Sequence, residues 1–117
     1  MKVIIAGGRD FFDYARLCVY CDYILQDYDM VEIVSGAAGG ADRLGERYAK
    51  EKRHKLKLFP AEWDTYGKSA GYKRNEEMAK YANGLIAFWD GESKGTKHMI
   101  DIAKKHKLKV RVCNYEK

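Results

Sequence analysis

Three glycine-rich loops hold the residues best suited to chemistry. They read Gly7-Gly8-Arg9-Asp10-Phe11, Ser35-Gly36-Ala37-Ala38-Gly39-Gly40-Ala41-Asp42 and Asp90-Gly91-Glu92-Ser93-Lys94-Gly95-Thr96, and most of the eleven glycines lie in them. Glycine lets backbone N–H groups come close to a ligand, and a helix that opens just after such a loop offers the positive end of its dipole to phosphate or carboxylate. The same glycines would serve to turn a strand tightly into a helix, so a single loop decides nothing. Three loops that converge favour a ligand. None of them reads GxGxxG, and none is a P-loop because Gly95 is followed by Thr96 rather than lysine, so an ordinary NAD or ATP site is not expected. Charge sharpens the case. Lys73 and Arg74, and then Lys94 and Lys97, fall where helices are expected to start, against the helix dipole, at a cost of roughly a few tenths of a kcal/mol each. A bound anion would reverse that sign, and Arg74 has the fork geometry to hold an oxyanion with two hydrogen bonds. Asp42 reads equally as a helix cap and as an acceptor for a ribose hydroxyl.

The segment Pro60 to Ser69 is long for a connection between a strand and a helix and carries Trp63 and Tyr66. A long loop over the carboxyl edge of a sheet is a candidate lid, and its aromatics either stack on a base or cover the sheet edge as core. Cys18 and Cys21 form a CxxC, but they lie in an amphipathic run and His54, His98 and His106 are scattered, so helix packing is expected rather than zinc or redox chemistry. Neither a metal nor a cofactor is expected.

The elements that must position these residues alternate between short β-branched runs and longer stretches of helical period, which predicts α/β units and a parallel sheet. Strands are expected at residues 2–6, 31–34, 55–59, 84–89 and 109–113, with helices at about 13–27, 41–53, 71–82 and 96–106. Right-handed crossovers wind five such strands most simply in the order 3-2-1-4-5, giving a single Rossmann-like three-layer domain over residues 1–117. The order reverses between the first and fourth strands, and ligands in such sheets sit outside the carboxyl ends of the strands at that reversal. The three glycine loops are expected to meet there. Lys50, Lys52 and Arg53, like Lys104, Lys105 and Lys107, sit at expected helix ends, where cations match the dipole without any functional role.

A chain of 117 residues that is 46% hydrophobic is long enough for one ordinary core and too short for two. Its net charge of +5 favours anionic ligands without requiring duplex DNA. No apolar run approaches the roughly 18 residues of a membrane span, and three cysteines are not spaced like a secreted disulfide scaffold, so a cytoplasmic protein without membrane partners is expected.

Residues 3–11 (VIIAGGRDF), 34–45 (VSGAAGGADRLG), 59–75 (FPAEWDTYGKSAGYKRN) and 88–99 (FWDGESKGTKHM) together resemble the YspA-type group of the SLOG superfamily. More distantly the chain is similar to the DNA-processing protein DprA and to the LOG phosphoribohydrolases. The resemblance implies a pocket for a nucleotide-derived ligand such as an ADP-ribose derivative, lined by Gly8, Arg9, Ser35, Gly36, Asp42, Arg74, Asn75, Gly95 and Thr96, and the glycine loops add Gly7, Gly40 and Lys94 to the expected ligand-binding residues. The family's second loop usually reads like SGGARGAD, whereas Ala37 stands here in place of glycine and Gly39 in place of arginine. The LOG hydrolases also carry a glutamate three residues after the threonine of their GGxGT motif, and that position is Met99 here. A thioether cannot act as a general acid or base. Sensing or sequestering a small nucleotide-derived anion, as in a phage or bacterial conflict system, is therefore expected. An N-glycosidic phosphoribohydrolase is the alternative and a DprA-like single-stranded nucleic-acid binder the second. Nucleic acid is not the expected partner, and a homo-oligomer is compatible with all three readings.

Overall fold

The computed structural model describes residues 1–116. The elements follow in the order β1 (Lys2–Gly7), α1 (Tyr14–Leu25), β2 (Glu32–Ser35), α2 (Ala41–Glu51), β3 (Lys55–Leu58), α3 (Trp63–Tyr66), a 3-10 turn (Gly67–Ser69), α4 (Ala70–Tyr81), β4 (Gly84–Trp89), α5 (Lys94–Lys105) and β5 (Lys109–Asn114). All strand pairs are parallel, and the sheet runs β3-β2-β1-β4-β5. The expected α/β class, strand number and order are those observed. Among the described residues, no helix is long and apolar enough to cross a membrane.

The layering follows from the two-residue period of the strands. Val3 and Ile5 of β1 face one side, where Leu17, Cys21 and Leu25 of α1 and Tyr48 and Ala49 of α2 close the core. Ile4 and Ala6 face the other side and meet Met78 and Ala79 of α4 and Met99, Ile100 and Ala103 of α5. β1 and β4 are buried on both faces, which is why they read as near-continuous apolar runs. Cys21 is wholly enclosed beneath α1 and all three cysteines are free thiols, in keeping with packing as the role of the CxxC. No cluster able to hold a metal occurs among the described residues.

Local chemistry sets the helix starts. Asp13 caps α1 by accepting from the Arg16 N–H at 3.1 Å, and Ser93 caps α5 by accepting from the Thr96 N–H at 3.5 Å. Because Ser93 is the cap, α5 opens at Lys94, two residues before the expected boundary, and Gly95 and Thr96 fall within its first turn. α4 opens at Ala70 without a side-chain cap, as a continuation of the 3-10 turn. Arg74 is consequently the fifth residue of α4 and lies past the first turn, so the expected opposition between its charge and the helix dipole does not hold.

Candidate functional site

A cavity of about 610 Å³ opens at the carboxyl ends of β1 and β4, where the strand order reverses. All three glycine loops reach it: Gly7, Gly8, Arg9 and Asp10 from the first, Ala38 and Asp42 from the second, and Asp90, Ser93, Gly95 and Thr96 from the third. α4 supplies Gly71, Tyr72, Arg74, Asn75 and Met78, α5 adds Met99, and Trp63 and Lys68 come from the segment after β3. The volume lies within the range of small-ligand pockets.

The loops are locked together at Gly40. It has φ of 64°, and a Cβ there would lie 2.3 Å from the Gly8 carbonyl oxygen, so only glycine lets the second loop rest on the first. The Ala41 N–H donates to that same Gly8 oxygen at 3.1 Å. Gly36 is pinched in a different way: a Cβ would meet Arg74 Nη1 at 2.6 Å and Asp42 Oδ2 at 2.9 Å, so the guanidinium and the carboxylate approach this one residue. Gly95 is the contrast. A Cβ there would meet nothing within 4 Å, and the residue lines the cavity from the first turn of α5, where N–H groups have no carbonyl of the helix to reach.

Arg74 is half-buried and held at two points. Its Nη1 donates to the Gly36 carbonyl oxygen and its Nε donates to Asn75 Oδ1 at 2.9 Å. Asn75 is 6% exposed and its Nδ2 lies 3.1 Å from His98 Nδ1 on α5. Asp42 is not the cap of α2, a place taken by Gly40. Its carboxylate is buried and accepts from the Ala38 N–H at 3.1 Å. Burial pushes its pKa up to about 6, against the opposing pull of the Ala38 N–H and the Arg74 charge.

Several expected site residues serve the frame instead. Ser35 is fully buried, and its hydroxyl donates to Glu46 Oε2 at 2.8 Å and accepts from the Ala37 N–H at 3.1 Å. Lys94 is exposed and is not among the cavity-lining residues. Lys97 pairs with Asp101 at 2.8 Å, and Lys73 Nζ lies 4.9 Å from the centre of the Tyr66 ring. Tyr66 stays outside the lining, and Trp63, which does line the cavity, is 52% exposed; neither ring covers the sheet edge as core. Sequence reasoning missed Lys68, Tyr72 and His98. Tyr72 is half exposed at the cavity and its ring meets the His98 ring edge-on at 4.4 Å. The charge of the lining is thus balanced, with Arg9, Lys68 and Arg74 beside Asp10, Asp42 and Asp90. The floor is apolar, formed in part by Met78 and by Met99, which is 1% exposed.

The chain is similar to the Gene 61 protein of Mycobacterium phage D29, at 32% identity over 111 residues covering 89% of each chain. No solved structure matches it. The model of the YspA, cpYpsA-related SLOG family matches residues 1–66, which contain the first two glycine loops. With the family model matching more than half of the chain, residues 1–66, the chain belongs to the YspA, cpYpsA-related SLOG family.

Proposed function

We propose that the cavity binds a small nucleotide-derived anion, ADP-ribose or a related signalling nucleotide, and that the protein senses or sequesters this ligand. The observation that carries the reading is Gly95. Nothing within the protein fills the space a side chain would take there, yet it sits in the first turn of a helix that opens on the cavity, in the same lining as Arg9 and Arg74. That is the arrangement in which backbone N–H groups and the helix dipole receive a phosphate. Trp63 and Tyr72, both about half exposed, put aromatic rings suited to stacking on a base in the same lining. Family membership supports a nucleotide-related ligand, and the phage relative is compatible with a role in phage–host conflict, where binding a signal without destroying it would suffice.

The test is calorimetry of the protein and of Gly95→Ala against AMP, cyclic nucleotides and ADP-ribose. Alanine is a better helix former than glycine by about 0.8–1.0 kcal/mol, so the substitution is expected to leave the melting temperature level or raise it while weakening binding about tenfold or more. Equal binding by both proteins, or silence across the panel, would overturn the reading.

One observation favours a second reading, N-glycosidic hydrolysis. Met99 lines the cavity with a side chain unable to transfer protons, but the Asp42 carboxyl lines it with a pKa near 6, suited to general acid–base work. Chromatography of the same mixtures decides: free base released at about one per second, within the ordinary enzyme range, would establish turnover.

A further inference from the structure

The guanidinium of Arg74 depends on a neighbour's neighbour for its orientation. Its Nε–H can only donate, so the atom of Asn75 that faces it at 2.9 Å is the amide oxygen. The other end of the amide, Nδ2, is thereby fixed as the group facing His98 Nδ1 at 3.1 Å, and an NH2 can only donate as well. His98 Nδ1 must accept, which requires a neutral ring with its proton on Nε2. A protonated ring carries N–H on both nitrogens and sets donor against donor. Turning the Asn75 amide over would satisfy the charged ring but would aim NH2 at the Arg74 Nε–H. Asn75 is 6% exposed, so water has little room to relieve the conflict. No orientation of this amide serves Arg74 and a charged His98 together.

We propose that His98 is a positioning residue for the anion site, and that a proton on its ring releases Arg74 from its binding geometry and lowers affinity for the ligand. The inference rests on the reading of the cavity as an anion site. The groups around the ring set where this happens. Burial disfavours the charged ring, while the carboxylates of Glu76 on α4 and Asp101 on α5 favour it, and the Tyr72 ring packs on its edge. Burial is the largest of these influences and the pKa lies below its usual value, so the relay is intact at neutral pH and is lost on acidification.

Two substitutions isolate the effect. His98→Asn places an amide oxygen near the position of Nδ1 and accepts at every pH, whereas His98→Leu removes the acceptor altogether. With ADP-ribose as the calorimetric probe, His98→Leu is expected to bind about tenfold more weakly at neutral pH, the worth of one hydrogen bond that orients a charged group. His98→Asn is expected to bind like the native protein at neutral pH and to keep that affinity on acidification below the usual histidine range, where the native protein weakens relative to it toward the level of His98→Leu. Asp42, whose pKa is raised to about 6, is present in both proteins, so the difference between the two profiles belongs to His98. Native binding by His98→Leu, or identical pH profiles for the native protein and His98→Asn, would overturn the proposal. Nitrogen NMR separates its failure from that of the site reading: if ADP-ribose binds to none of these proteins, the ligand reading falls. The relay itself stands only if His98 Nδ1 is the unprotonated nitrogen at neutral pH and the Arg74 Nε–H signal shifts as His98 titrates.

Discussion

Desolvation of the Asp42 carboxyl sets a cost on the free protein that the Ala38 N–H and the Arg74 charge offset only in part. With its pKa lifted from 3.8 to about 6, the folded protein holds this proton more tightly than the unfolded chain does. A group of that kind contributes most to stability below its unfolded value, and the contribution is lost as pH rises through the folded one. At pH 7 the ionised carboxylate is thus a liability of up to about 3 kcal/mol for a two-unit shift. Asp42→Asn keeps an acceptor oxygen for Ala38 and removes the charge. It is expected to raise stability to urea at pH 7 by about 1–3 kcal/mol and to change it little near pH 4. A loss of stability at pH 7 would show that pairing with Arg74 outweighs burial. If Asp42 serves the ligand, the same substitution weakens binding while it strengthens the fold, the usual exchange at a functional site. Ala37 points the same way. It has φ of 58°, a left-handed conformation that costs an L residue roughly 1 kcal/mol relative to glycine. The second loop is fastened in this conformation by the Ala37 N–H, which donates to Ser35 Oγ.

The element that joins β3 to α4 differs in kind from the rest of the fold. α3 and the 3-10 turn bury none of their residues and meet at Gly67, whose φ is 57°. A segment that buries so little opens at low free energy, and yet it delivers Trp63 and Lys68 to the cavity. Amide hydrogen exchange over residues 63–69 is therefore expected to be fast in the free protein and slowed by saturating ADP-ribose, with a change in Trp63 fluorescence. Unchanged exchange in a complex that calorimetry shows to be saturated would mean that this segment is not a cover. The same element marks the limit of what the sequence makes legible. β1 and β4 announce themselves because both of their faces are buried, and once the strand order is known the meeting point of the three glycine loops follows from topology. A four-residue helix is shorter than any window in which period can be read, so α3 had only the length of its loop to betray it. His98 and Tyr72 carry no signal of their own, because their roles arise from the packing of α4 against α5. Arg74 is legible for an incomplete reason: the sequence sets its charge against a helix dipole, whereas its place at the site comes from Gly36 and Asn75.

At the scale of the whole molecule, charge separates the two classes of partner that a net +5 permits. From Asp10 to Glu32 the chain has six acidic residues and one basic, so the region of α1 carries negative charge and the excess of cations lies elsewhere. Among the described residues, five of those cations are engaged in ion pairs: Arg43 with Glu46, Arg47 with Glu51, Lys52 with Asp22, Lys80 with Glu76 and Lys97 with Asp101. Exposed pairs of this kind add about 0–1 kcal/mol each to stability, and each sets a carboxylate beside its cation, where it would repel a phosphate backbone. In the cavity, Arg9, Lys68 and Arg74 line a volume suited to one small ligand, beside the carboxylates of Asp10, Asp42 and Asp90. A nucleic-acid surface neutralises several phosphates and releases their counterions, so its affinity falls steeply with salt. A pocket shields its charges from counterions and its affinity falls less. Oligonucleotides, single-stranded or duplex, are thus expected to bind weakly at low salt and not at all near physiological ionic strength, while ADP-ribose binding changes little over the same range. Fluorescence anisotropy with labelled oligonucleotides, set beside calorimetry with ADP-ribose at matched salt, makes the comparison. Sub-micromolar oligonucleotide binding at physiological salt would reverse the order of the two partners and identify the exposed lysines, rather than the cavity, as the working surface of the protein.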